Sequence, residues 1–299
     1  MTSTDLSESK VSVYEAVTAQ IVAAIEAGAD ICKMPWHAGI MPMAMPVNAA
    51  TEMPYHGINI VALWAQAMAK HYITGYWASY KQWQKLGAQV RKGEHGSTIV
   101  FYKEFESSGS EEDDERPRFV ARATRVFNAE QVDGWEYPSP NDKLKIEIND
   151  QLEAFVQATK ANILHGSHTA CYRRQMDRIE LPKPEQFVGT PTSSPTESYY
   201  AVLLHELTHW TGAPHRLNRT FGARFGDRAY AFEELIAELG AAFMCSAFRI
   251  VNHPRPDHAA YISNWLNILD RDNKAIFTAA STAQQAVEYL RTLAGSDTV

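Results

Sequence analysis

Three residues on one short segment have the types and spacing to do chemistry together. His205, Glu206 and His209 form an H-E-x-x-H within "YYAVLLHELTHW". On an α-helix, residues four apart share a face, so the two histidines can aim their imidazoles at one cation. Zinc held in this way lowers the pKa of water towards ~7, and Glu206, the next residue round, is placed to take the proton. The flanks are apolar, and burying two imidazoles and a carboxylate there without a partner is costly. The segment therefore predicts a divalent-metal site, zinc first, with another divalent ion such as Mn2+ as the alternative.

Two candidates compete for the third ligand. With Gly212 and His215 the stretch also spells H-E-x-x-H-x-x-G-x-x-H, the metzincin spacing. That clan needs a methionine-containing turn beneath the metal, and the only downstream methionine, Met244, falls in the helical pattern "GAAFMCSAF". The competitor is Glu234, one helical turn before Glu238 in "EELIAEL". In gluzincins the first carboxylate of such a pair ligates the metal and the second fixes a ligand histidine's tautomer. Glu233 and Glu234 have an ordinary account as acids at a helix N-terminus, but Glu238 lies too deep for it. We expect Glu234 as third ligand and Glu238 behind a histidine, with His215 in a polar loop. Such a site is hydrolytic, and the strand-like "DRIELP" would offer an edge for an extended peptide.

The elements that must position these residues are legible from caps and periodicity. Ser194 with Glu197 is a capping box, Pro195 sits at the first helical position, and Gly212 reads as an αL terminator. "YAFEELIAELGAAFMCSAF" is a second strong helix, and "ANILHG", "TACYRRQ" and "DRIELP" read as strands. Upstream, "VSVYEAVTAQIVAAIEAG" reads as a helix ended by Gly28, followed by helices "INIVALWAQAMAK" and "SYKQWQKLG". "STIVFYKEF" and "RFVARATRVFN" read as a hairpin around the acidic run Glu111 to Glu115, and "DGWEYPSPNDK" reads as a linker. The fold class expected is α+β in two domains: a small α+β domain over residues 1–140, and a metallopeptidase-like domain over 141–299.

Composition bounds the setting. The chain has 299 residues, 45% hydrophobic and 21% charged, with no apolar run of the ~20 residues that span a bilayer. No membrane partner is expected. The start "MTSTDLSESK" is not a secretion signal, and three scattered cysteines build neither a disulfide framework nor a thiolate zinc site. These features predict a cytoplasmic protein. The net charge of -7 argues against a chain that binds polyanions throughout. From Lys70 to Lys103, however, Lys70, Lys81, Lys85, Arg91, Lys92 and Lys103 face a single acid, Glu94, with seven aromatics interleaved. Cations that track phosphates and rings that stack on bases are what single-stranded nucleic acid requires, although the same rings must also build a core. By residue type, Trp77, Tyr80 and Trp83 are the stacking candidates, with Lys81, Arg91 and Lys92 for phosphates.

"YHGIN", "YWASYKQWQKLGAQVRKGEHGSTIVFYK" and "RVFNAEQVDG" in the first half resemble the ArdC-like antirestriction proteins of conjugative plasmids. So do "DRIELP", "YYAVLLHELTHWTGAPHRLNR" and "FEELIAELGAAF" in the second half. The resemblance implies an N-terminal domain that binds single-stranded DNA, joined to a zincin-like metallopeptidase domain. It also implies a role in protecting incoming plasmid DNA from the recipient's restriction enzymes, with a host restriction-system protein as a candidate target. Residue by residue it implies His205 and His209 as ligands, Glu206 as base and a glutamate of "EELIAE" as third ligand. Two other functions stay open on the sequence: a non-catalytic module that coats single strands, and a metallopeptidase with an unrelated cellular target.

Overall fold

A computed structural model describes residues 12–29, 44–105, 118–136, 145–187, 193–222, 228–250 and 258–295. The acidic run Glu111 to Glu115 and most of the expected linker lie outside the described residues. The chain is mixed α and β. Helix α1 (Val13–Ala29) runs one residue past Gly28, and α2 (Ile58–Lys70) coincides with its predicted segment. A four-stranded sheet follows the order β1 (Val47–Asn48), β2 (Tyr76–Ala78), β5 (Arg118–Asn128), β4 (Ser97–Phe105). The β4–β5 hairpin pairs antiparallel from Ser97 opposite Val126 to Phe105 opposite Arg118. Helix α3 (Tyr80–Lys85) starts at a Ser79–Gln82 capping box and ends before Gly87, whose φ of 80° is the left-handed conformation glycine adopts freely. Beside it, β3 (Gln89–Val90) pairs with β6 (Val132–Asp133).

The second half opens with α4 (Lys145–Ala158) and a three-stranded sheet in the order β7 (Asn162–His165), β9 (Arg178–Leu181), β8 (Cys171–Arg173). β7 joins β9 in parallel and β8 joins it antiparallel. The "DRIELP" segment is therefore the centre of this sheet, and the expectation that it is an edge is corrected. The parallel partner arrives by a crossover, which a strand's own alternation does not reveal. Among the described residues the outer strand on the other side is β8.

Helices α5 (Pro195–Thr211), α6 (Arg228–Ala247), α7 (His258–Arg271) and α8 (Ala275–Ala294) complete the chain. No helix among the described residues is long and apolar enough to cross a membrane. One hydrophobic core runs through both halves, from Val17, Ile21 and Leu63 to Leu207, Leu239, Ile276 and Val287. Trp64 of α2 packs against Phe243 of α6, with ring centroids 5.8 Å apart. Thr18 of α1 donates to the Asn273 carbonyl at 2.6 Å, and the Gly57 amide donates to Gln284 of α8 at 3.3 Å.

Candidate metal centre

Helix α5 begins as its sequence dictates. The Ser194 hydroxyl accepts from the Glu197 amide, the Glu197 side chain accepts from the Ser194 amide, and Pro195 occupies the first turn. Gly212 follows the helix with φ −79°, an ordinary right-handed value, so its expected role as a left-handed terminator is corrected. Its reason is space: a Cβ there would lie 2.7 Å from the Phe221 ring.

The buried end of α5 faces α6 at close range. A Cβ on Gly240 would lie 2.6 Å from Thr208 Cγ2, so a glycine at this point lets the two helices approach. That approach brings together the predicted ligands. His205 Nε2 and His209 Nε2 are 3.1 Å apart, and the Glu234 carboxylate oxygens lie 3.5 Å and 3.4 Å from them. All three side chains are buried. A tetrahedral ion with bonds of about 2.0–2.1 Å spaces its ligand atoms about 3.3 Å apart. An octahedral one with bonds of about 2.0–2.1 Å spaces adjacent ligands about 3 Å apart. The observed edges fit a divalent cation on either scheme.

The outward nitrogens are engaged as well. His209 Nδ1 donates to Glu233 Oε1 at 3.1 Å, and His205 Nδ1 lies 3.0 Å from Glu238 Oε1. With protons on these nitrogens, both Nε2 lone pairs point inward, at a separation that is repulsive unless positive charge lies between them. Four glutamates, Glu206, Glu233, Glu234 and Glu238, are at most 7% exposed. One buried guanidinium, Arg219, meets Glu233 at 2.8 Å and 3.0 Å and also holds the Thr208 carbonyl and the Thr211 hydroxyl. Against four carboxylates, that single guanidinium leaves an excess of negative charge that a divalent ion would largely offset.

The electrostatics agree. Burial disfavours a charged His209, but Glu234 and Glu233 outweigh it and raise its pKa to about 10. Burial would raise the Glu234 pKa, and His209 and His205 reverse this, holding it far below the usual carboxylate range. Glu233 is likewise held low by His209 and Arg219 against its burial.

The structure brings Glu234 and Glu238 to the histidines and keeps His215 away. The His215 side chain is 63% exposed and sits 3.2 Å from Asp177. Sequence reasoning missed Glu233 and Arg219. Two consecutive acids in an apolar helix were the available signal, since residues one apart diverge by about 100° and can serve different histidines.

The nucleic-acid candidates divide. Trp77 and Trp83 are 1% and 0% exposed, and Trp83 donates its indole N–H to the Phe127 carbonyl. Neither ring can stack on a base, and their choice as stacking residues is corrected: Trp77 fills the core shared by both halves, and Trp83 fills a smaller cluster with Ala88, Val90 and Val132. Tyr80 is 42% exposed, and Lys81 and Lys92 face solvent. Arg91 is partly committed, to Glu94 at 3.2 Å, Asp133 at 3.4 Å and the Glu130 carbonyl. Tyr80, Gln89, Val90, Arg91, Lys92, Glu94, Phe127 and Asp133 line an open groove of about 540 Å³.

A helix pair that presents H-E-x-x-H and a glutamate at ligand spacing, beside a small sheet, defines a zincin-like metallopeptidase domain, and the model of that family matches residues 150–282. The N-terminal domain of anti-restriction factor ArdC matches residues 11–132. The chain belongs to the ArdC family. Among solved structures it is similar to the antirestriction ArdC protein from plasmid R388. The metal-free form is 37% identical with TM-score 0.74, covering 95% of this chain and 98% of that one. The Mn(II)-bound form is 36% identical with TM-score 0.75, covering 96% and 99%. Protein y4eC of Sinorhizobium fredii is 42% identical over 97% of this chain and 95% of its own length. A DNA primase TraC of Escherichia coli is 35% identical over 95% of this chain, which spans 27% of that longer protein.

Proposed function

We propose that this chain is a cytoplasmic antirestriction protein that binds single-stranded DNA through its N-terminal half and hydrolyses peptide bonds through a metal centre in its C-terminal half. In this role it protects incoming conjugative plasmid DNA from restriction, with a protein of the host restriction system as its target. One observation carries the reading: a buried His205–His209–Glu234 set at metal-ligand spacing, in a chain whose other half matches the ArdC N-terminal domain. The manganese form of the R388 protein supports Mn2+ beside Zn2+ as the ion.

His205, His209 and Glu234 would hold the ion, which when bound supplies Lewis acidity towards a peptide carbonyl and acidifies water. Glu206 accepts the proton from the attacking water and returns it to the leaving amine. Glu238 and Glu233 keep each imidazole turned inward with its proton on Nδ1. β8, the outer strand of its sheet among the described residues, packs against α5. Burial is the main reason the Cys171 thiol pKa is raised, and Glu206 adds to that rise against the pull of Arg173. An extended substrate would add to the sheet at this edge.

For DNA, Tyr80 with Lys81 and Lys92 replace the buried tryptophans as contacts. Arg91 contributes where its carboxylate partners leave donors open. The test has two parts. In conjugation into a restricting recipient, Glu206→Gln should abolish protection while metal content and single-strand binding stay normal. Intact protection by this variant would leave strand coating as the mechanism. In gel shifts, Tyr80→Ala with Lys92→Ala should weaken binding to single strands and flatten its salt dependence. Equal affinity of the parent protein for single strands and duplex would refute the DNA half.

A further inference from the structure

Of the arginines described on the sheet beside α5 and in the segment after it, all but one are paired with carboxylates. Arg219 is paired with Glu233, and Arg216 with Asp177. Arg173 and Arg178 share Glu180. Arg174 differs. Among the described residues no carboxylate lies within ion-pairing reach of it, and its side chain is exposed.

Arg174 is nevertheless held in place. Its guanidinium carbon lies 4.3 Å from the centroid of the Phe221 ring, a cation–π contact that engages the face of the group, and among the described residues its N–H edges have no hydrogen-bond partner. Phe221 is fixed in turn. Its ring fills the space that Gly212 leaves open, and its centroid lies 6.0 Å from that of the ligand His209. Arg174 is thus one ring removed from the metal ligands. It occupies the turn that directly follows β8, the outer strand beside Glu206.

A positioned guanidinium with open donors next to a substrate edge recognises an anion by paired, charge-assisted hydrogen bonds. We propose that Arg174 is a specificity-determining residue that selects peptide substrates carrying an acidic side chain close to the scissile bond. The inference rests on the peptidase reading above and names its substrate class. The neutralised arginines are unsuited to this role, since their donors already serve Glu180, Asp177 and Glu233.

The test uses the full chain loaded with Mn2+ and carrying Glu206→Gln, so that bound peptides are not consumed. The probes are end-blocked alanine–leucine decapeptides with a single Glu, Gln or Lys stepped through each position, with binding read by fluorescence anisotropy. At one or two positions the Glu peptide should bind about tenfold more tightly than its Gln counterpart, as one charge-assisted contact provides. Arg174→Gln should erase that preference. Arg174→Glu should reverse it in favour of Lys, which no general loosening of the fold would produce. Equal binding of Glu and Gln peptides, a preference that survives in Arg174→Gln, or no peptide binding at all would overturn the proposal. Cleavage of the same peptides by the protein with Glu206 intact is read separately. An acidic preference without cleavage would refute the peptidase reading and uphold the recognition by Arg174.

Discussion

Replacing Arg219 with methionine isolates the charge that holds one side of the metal centre. The Arg219 and Glu233 side chains are 7% and 4% exposed, and their pairing is bidentate, with donors at 2.8 Å and 3.0 Å. Methionine keeps much of the volume and removes the cation. Glu233 is then left as a buried carboxylate with only His209 to meet it, and the Thr211 hydroxyl and the Thr208 carbonyl each lose a donor, although the hydroxyl still donates to that carbonyl. Removing one partner of such a buried pair costs about 3–5 kcal/mol. At 2–4 °C per kcal/mol for a domain of this size, the melting temperature of metal-free protein should fall by about 6–20 °C. Differential scanning calorimetry reads this directly. Arg219→Met combined with Glu233→Gln should recover most of the loss, because the amide still accepts from His209 without a stranded charge. A fall of less than about 1 kcal/mol in the single variant would refute the reasoning, since exposed pairs contribute that little.

Three further outcomes follow from the geometry. Glu234→Ala should weaken Mn2+ or Zn2+ binding by more than about 100-fold in a chelator competition, beyond the 10–100-fold typical of supporting residues, and His215→Ala should leave it unchanged. Gly240→Ala should destabilise by about 1–3 kcal/mol in urea unfolding, because its Cβ would meet Thr208 Cγ2 at 2.6 Å, and Thr208→Ala should largely suppress the defect. The Asp177 pKa is lowered to about 2, chiefly by the hydrogen bond from Arg216 against burial, from an ordinary value of 3.8. Because folding lowers this pKa, its contribution is complete above 3.8 and fades as pH falls towards 2; Arg216→Met should flatten the acid limb of the stability profile there.

The candidate ligands were readable because helical period is a local rule. His205 with His209, and Glu234 with Glu238, fall on single faces whatever the helices pack against. The antiparallel β4–β5 hairpin was readable for the same reason. What failed depended on partners distant in sequence. Residue type does not say which way a tryptophan points, so Trp77 and Trp83 read equally as base platforms and as core, and two separate core clusters needed them inside. Gly212 looked like a terminator because Pro214 follows it, whereas its constraint comes from Phe221 in a later loop. The place of "DRIELP" in its sheet depended on β7, and that parallel pairing leaves no mark on the strand itself. Arg219 lies in a polar loop and gives no sign that it reaches back beneath α5.

Trp64 against Phe243 joins the half that carries the aromatic sheet to the helix that carries Glu234 and Glu238. A cut between residues 136 and 145 would divide the backbone and leave the hydrophobic interior undivided. Free energy released when α5 and α6 grip an ion is therefore shared with α2 through this packing. Stability gained in one half should thereby be felt in the other.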